Sequence, residues 1–162
     1  MEEKDDIQLN QGNEDSKEKW KRTDYVNVKN QFDNGLSWFF WIAGLSIVNT
    51  IVYITGGNYN FIVGLGVTQV IDEFVVEMQG TGMYIALLID ILVAGGFALL
   101  GFLGRKRRYW VFIVGIIIYT LDALIFLYVQ DWVGLAFHAL AVYGFVRGMM
   151  AVRRLKEMDR VQ

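Results

Sequence analysis

The chain has 162 residues, room for one domain of modest size, with 54% hydrophobic and 20% charged side chains. It contains no Cys and no Pro, which excludes disulfides, thiolate chemistry and proline-kinked helices. The formal net charge of −2 conceals a sorting of charge by position, and the apolar residues fall in blocks of the length that crosses a bilayer, about 20 residues.

Residues 1–35 carry nine acids and six bases with little to bury, a composition that predicts a disordered, solvated tail. In its second half Lys17, Lys19, Lys21, Arg22 and Lys29 alternate with Trp20, Tyr25, Val28 and Phe32. That basic–aromatic pattern suits the anchoring of a cytoplasmic end, contact with anionic lipid, or a protein partner of the tail. No cleavable signal peptide is expected, because the first apolar block follows a polar stretch and is long enough to remain as a helix. The first span, about 36–55, opens on the aromatic belt Trp38, Phe39, Phe40 and Trp41 and stops near Thr55-Gly56-Gly57. Gly44 and Ser46 in it are small enough to admit a neighbouring helix closely.

The connection 56–82 is too long and apolar for a plain loop. Within 61–78, Val63, Val67, Val70, Ile71, Phe74, Val75 and Met78 share one arc of a helix, with Gln69, Asp72, Glu73 and Glu77 on the other. Asp72, Glu73 and Glu77 lie too close together for a full span. The segment reads as an extracytoplasmic amphipathic helix lying over the outer end of the bundle, with Thr68, Asp72 and Glu73 as lid contacts.

The second span, about 83–103, contains Asp90 and an Ala94-Gly95-Gly96 patch and ends at Gly104, before the basic turn Arg105-Lys106-Arg107-Arg108. The third, about 109–128, begins with Tyr109 and Trp110 and carries Tyr119, Thr120 and Asp122. Gln130 and Asp131 make a turn so short that the third span and the fourth, about 132–150, must be antiparallel neighbours. The fourth contains His138 and Tyr143. It ends with Gly144 and Gly148 at GxxxG spacing, which closes a helix pair within the chain or in a homodimer. Residues 151–162 read as a basic C-terminal end.

All fifteen Lys and Arg lie in the tail, the 105–108 turn, or the stretch from Arg147 onward. Four alternating spans place these on one side, which the positive-inside rule makes cytoplasmic, with both termini inside. Counting 61–78 as a fifth span would split the bases between two sides.

With that threading, Asn49, Asp90, Asp122 and His138 all lie about 10 Å below the outer surface at 1.5 Å per residue. A carboxylate in hydrocarbon costs about 2.5–3.5 kcal/mol, so Asp90 and Asp122 should face inward and have partners, His138 first among them. Three readings of this buried polar layer stand open. It is a structural network that fixes helix register; or Asp90, Asp122 and His138 ligate a divalent metal such as Zn, Mn or Fe; or it is a proton-linked or small-ligand pocket open to the outside. Serine nucleophiles lack a neighbouring base, no phosphate-binding or nucleotide fingerprint is present, and the basic turn is too short for nucleic acid. The chain reads as non-enzymatic, without a cofactor outside the metal reading.

The stretches WIAGLSIVNT, GGNYNFIVGLGVTQVIDEF, LLIDILVAGGFALLGFLGRKRRYW, IVGIIIYTLDALIFL and DWVGLAFHALAVYGFVRG resemble an uncharacterised family of small four-span bacterial membrane proteins. The resemblance covers residues 36–150 and excludes the tail. It implies a bacterial cytoplasmic-membrane location and brings no activity, substrate or cofactor. The expected fold is all-α: a four-helix transmembrane bundle with an additional outer amphipathic helix and a disordered N-terminal tail. Its expected role is association with other membrane or cytoplasmic components.

Overall fold

Lipid offers no partner to backbone N–H and C=O groups, so an apolar block of this length closes its own hydrogen bonds as a helix. The computed structural model describes residues 2–54, Gly66 and 81–161. They form α1 (Glu2–Ile54), α2 (Thr81–Gly104), α3 (Tyr109–Tyr128) and α4 (Trp132–Val161), with no strand among the described residues. Each of the four includes a stretch long and apolar enough to cross a membrane. The expected amphipathic helix at 61–78, with its lid contacts Thr68, Asp72 and Glu73, lies outside the described residues except for Gly66.

The helices surround one seam. Contacts run α1–α2, α1–α4 and α3–α4, with a slighter α2–α3 contact, so α1 faces α3 and α2 faces α4 across the bundle. Buried residues recur at alternating steps of three and four on every helix. On α1 they are Val28, Phe32, Gly35, Phe39, Ile42 and Ser46; on α2, Asp90, Ala94, Phe97, Gly101 and Gly104. On α3 they are Phe112, Gly115, Tyr119, Asp122 and Phe126; on α4, Gly134, His138, Ala141, Phe145, Gly148, Val152 and Leu155. That repeat is the signature of helices packed at a shallow left-handed angle, knobs into holes. The outward faces, such as Leu92, Leu99, Leu121 and Leu124, are apolar and exposed, as a lipid-facing surface requires.

Phe39 sits where the seams meet and is fully buried. Its ring centroid lies 6.4 Å from that of Phe97 on α2, 5.7 Å from Phe112 on α3 and 4.3 Å from Phe145 on α4. Gly115 makes the room, since a Cβ there would fall 2.6 Å from the Phe39 ring.

The seam runs past the expected boundaries. The segment 1–35 was expected to be disordered, but α1 is one helix of 53 residues from Glu2, about 80 Å long, and it is packed from Val28 onward. Likewise α4 continues past 150 to Val161, with Ala151, Val152 and Leu155 buried. The reason is that Val28, Phe32, Val152 and Leu155 hold the seam positions while the charges take the others. Arg107 ties this end together: its guanidinium donates to Asp159 on α4 at 2.6 Å and to the Tyr25 hydroxyl on α1 at 3.1 Å. The contact with Tyr25, with a lesser contribution from Asp159 and against the opposing effect of burial, holds Arg107 above its ordinary pKa. All three basic segments therefore meet at one end of the bundle.

At the opposite end α3 closes with Asp131 N–H donating to Phe126 and Gln130 N–H to Leu127, with Gln130 left-handed at φ 59°. This is a Schellman closure with glutamine in the position glycine usually takes. Asp131 then starts α4, its Oδ1 accepting the N–H groups of Val133 and Gly134 at 3.1 and 3.0 Å.

Gly144 and Gly148 make their close approach within the chain. A Cβ on Gly35 would fall 2.5 Å from Gly148 Cα and 2.9 Å from the Gly144 carbonyl, and one on Gly144 would strike the Trp38 indole. Gly35→Ala is therefore expected to push two backbones apart and cost about 1–3 kcal/mol. Gly95→Ala, where nothing lies within 4 Å of the added carbon, should raise stability by up to about 1 kcal/mol. Thermal unfolding of the two purified variants in one detergent checks the contrast.

Candidate functional site

The polar residues of the expected layer do face inward. Asp90 is 4% exposed, Asp122 5% and His138 0%, while Asn49 is half-buried on α1. The two aspartates are held by different neighbours.

On the α3–α4 side, Asp122 and His138 pair directly because both occupy seam positions on adjacent antiparallel helices. His138 Nε2 lies 2.8 Å from Asp122 Oδ2, and Nδ1 lies 2.8 Å from the Gly134 carbonyl oxygen one turn earlier. A carbonyl only accepts, so Nδ1 carries a hydrogen. One further proton must then lie between Nε2 and Oδ2, since two lone pairs would repel at that distance. Whichever atom holds it, the pair is neutral overall. The N–H of Gly66 donates to the same Oδ2 at 2.8 Å. A Cβ on Gly66 would come 2.6 Å from the Phe126 ring, so this backbone group reaches Asp122 through a gap only glycine leaves.

Two aromatic rings of α3 bracket the imidazole. Tyr119 stacks on it at 4.1 Å and 12°, and Phe126 lies against it at 4.4 Å and 37°. They are seven residues apart, about 10 Å along the helix, so they cover opposite faces of the ring. His138 thus has both nitrogens bonded and both faces covered. Thr120, one residue beyond Tyr119, is exposed.

On the α1–α2 side, Asp90 Oδ2 lies 2.8 Å from Thr50 Oγ1, which is also 3.1 Å from the Ser46 carbonyl oxygen. Thr50 has one hydroxyl hydrogen for these two oxygens. If it goes to the Ser46 carbonyl, Asp90 must be the donor in the 2.8 Å contact; if it goes to Asp90, the carboxylate accepts. Ser46 Oγ and Asp90 Oδ1 are buried with no hydrogen-bond partner among the described residues.

This geometry keeps Asp90 apart from the Asp122–His138 pair, so the three do not form one metal set. Among the described residues no three His, Asp or Glu side chains converge as a metal site requires. Asp90 is bonded to Thr50 on α1, α2 and α4 lie across the bundle from each other, and neither His138 nitrogen has a lone pair left to offer a metal. Thr50, Gly134 and Gly66 belong to the site without having been singled out for it. Thr50 was findable, one turn beyond Ser46 on a seam already carrying polar residues. A backbone donor such as Gly66 leaves no residue-type signal.

No family model matches the chain, and neither curated proteins nor solved structures yield a match. The site is therefore read on its own geometry, which offers hydrogen bonding between helices and one shared proton.

Asp122→Asn is nearly isosteric, yet its carboxamide oxygen can serve both Gly66 N–H and His138 Nε2 only if the imidazole carries an unpaired charge. It is expected to cost about 1–3 kcal/mol. In a cycle of Asp122→Leu, His138→Leu and the double variant, the double loss should fall short of the summed single losses by about 0.5–3 kcal/mol. Unfolding midpoints in detergent read both quantities.

Proposed function

We propose that this is a non-enzymatic protein of a bacterial cytoplasmic membrane that acts by association, its bundle holding a long helix pair toward the cytoplasm. The observation that carries this reading is the continuity of α1. At about 80 Å it is more than twice the hydrocarbon thickness of about 30 Å, and its packed seam continues to Val28 beyond the aromatic belt at Trp38–Trp41. A helix held out in this way presents Glu18, Lys21, Arg22 and Asp24, all exposed, to a partner. The polar groups inside the bundle support the structural role: His138 is fully engaged by Asp122 and the Gly134 carbonyl.

The orientation rests on the charge distribution, with no Lys or Arg in 30–104 or 109–146. The bacterial membrane rests on the family resemblance. The absence of Cys provides a clean background for single-cysteine labelling in whole cells with a membrane-impermeant maleimide. Gln130→Cys should label in intact cells and Lys106→Cys only after permeabilisation; the reverse pattern overturns the orientation.

Association is tested by a photo-crosslinking residue placed at Asp24, with Leu121 on the lipid face as the comparison. A discrete protein adduct from Asp24 and none from Leu121 is the expected result. No adduct from Asp24, or the same adducts from both positions, sinks the reading.

A further inference from the structure

The bases of this chain do more than set its orientation, because at the basic end they frame a cavity. A groove of about 510 Å³ lies between α1 and the 105–108 turn, with Lys29, Asp33, Ser37, Phe40, Arg105 and Arg107 among its walls. Two of its three cations are already matched. Lys29 Nζ is 2.7 Å from Asp33, and Arg107 is 2.6 Å from Asp159.

Arg105 has no acidic partner among the described residues. Its guanidinium lies over two rings, 5.2 Å from the Phe40 centroid and 4.8 Å from that of Phe102. Gly101 lets the Phe40 ring settle there, since a Cβ would stand 2.8 Å from it. A cation spread on aromatic faces keeps its edge N–H donors free, and in that fork they match a phosphate.

The groove also adjoins lipid. On α2, Leu88, Leu92, Gly95, Leu99 and Phe102 are all exposed and repeat the same steps of four and three on the outward face. This apolar stripe runs the length of the span and ends at Arg105. An amphiphile whose chain follows the stripe brings its headgroup to the guanidinium. Ser37 donates its own hydroxyl to the Asn34 carbonyl at 2.7 Å, which leaves its oxygen to accept from a headgroup hydroxyl.

We propose that this groove is a binding site for an acidic phospholipid, with the phosphate on Arg105 and an acyl chain along Leu99 and Phe102. The charge count selects the class. The Lys29–Asp33 and Arg107–Asp159 pairs cancel, leaving one unmatched positive charge, which a phosphodiester of net charge −1 completes. A zwitterionic headgroup brings a cation for which the groove has no unpaired acid. A free phosphate ion would leave the adjoining stripe unused.

The test uses the full-length protein purified in detergent, with lipid adducts read by native mass spectrometry. Phosphatidylglycerol and phosphatidylcholine of identical acyl chains are the probes. Retention of phosphatidylglycerol should exceed that of phosphatidylcholine about five-fold, the factor one basic residue is worth near an anionic surface. Arg105→Gln should bring the two lipids near parity. Lys106→Gln, an exposed base in the same turn but outside the groove, should leave the preference intact. Arg105→Lys keeps the charge but loses the fork and the ring stacking, so it should lower the preference part-way; it stands in if Arg105→Gln does not fold.

Equal retention of the two lipids overturns the proposal, as does an unchanged preference in both Arg105 variants. Equal losses from Arg105→Gln and Lys106→Gln would mean diffuse attraction to basic residues and overturn it too. Displacement of phosphatidylglycerol by millimolar inorganic phosphate would make this a phosphate site, not a lipid site.

Discussion

At Gly35 and Gly148 the backbones of α1 and α4 approach so closely that a single added carbon would stand 2.5 Å from the facing Cα. Much of the bundle is arranged around that approach. It sets the pitch at which the two seams mesh, so Val28 and Phe32 on one helix join Val152 and Leu155 on the other in one buried cluster. It brings Trp38 against Gly144 and Phe112 against Gly148. It also carries the pair beyond the aromatic belt to the Arg107 clamp with Tyr25 and Asp159. In lipid, where apolar side chains gain little by leaving one apolar medium for another, such close packing of small residues is a principal source of attraction between helices.

The second constraint is polar. Five buried polar side chains, Ser46, Thr50, Asp90, Asp122 and His138, stand on the inner faces of all four helices. Thr50, Asp90, Asp122 or His138 turned to lipid would lose its partner at a cost of several kcal/mol. Each helix therefore has one rotational setting that satisfies both its small residues and its polar ones. The neutral Asp122–His138 pair does this without burying a net charge, and the Tyr119 and Phe126 rings exclude competing donors from its faces.

The four spans, their order and the gathering of basic segments at one end were legible, because apolar runs and charge placement are one-dimensional signals. The start of α1 was not. Nine acids and six bases in 1–35 dominate its composition and mask a seam of Val28, Phe32 and Gly35 that continues the membrane repeat. The inward facing of Asp90, Asp122 and His138 was also readable, but burial alone does not choose partners. Rotational phase and neighbour order do, and they give Asp122 to His138 while Asp90, on the helix diagonal to α4, goes to Thr50. Gly35 went unnoticed because it lies outside any GxxxG spacing, although it forms the other half of one.

The pairing of α1 with α4 also has a temporal side. Gly35 and Gly148 are separated by more than a hundred residues of chain. At 5–20 residues per second, α1 waits on the order of 5–20 s after emerging from the ribosome before its partner surface exists. The α3–α4 hairpin, closed by the three residues 129–131, forms as soon as it is made. Biogenesis thus leaves a newborn first helix in the bilayer matched to α2 through Thr50 and Asp90 but with its Gly35 face uncovered, an interval in which an insertase or a holding chaperone could shelter it.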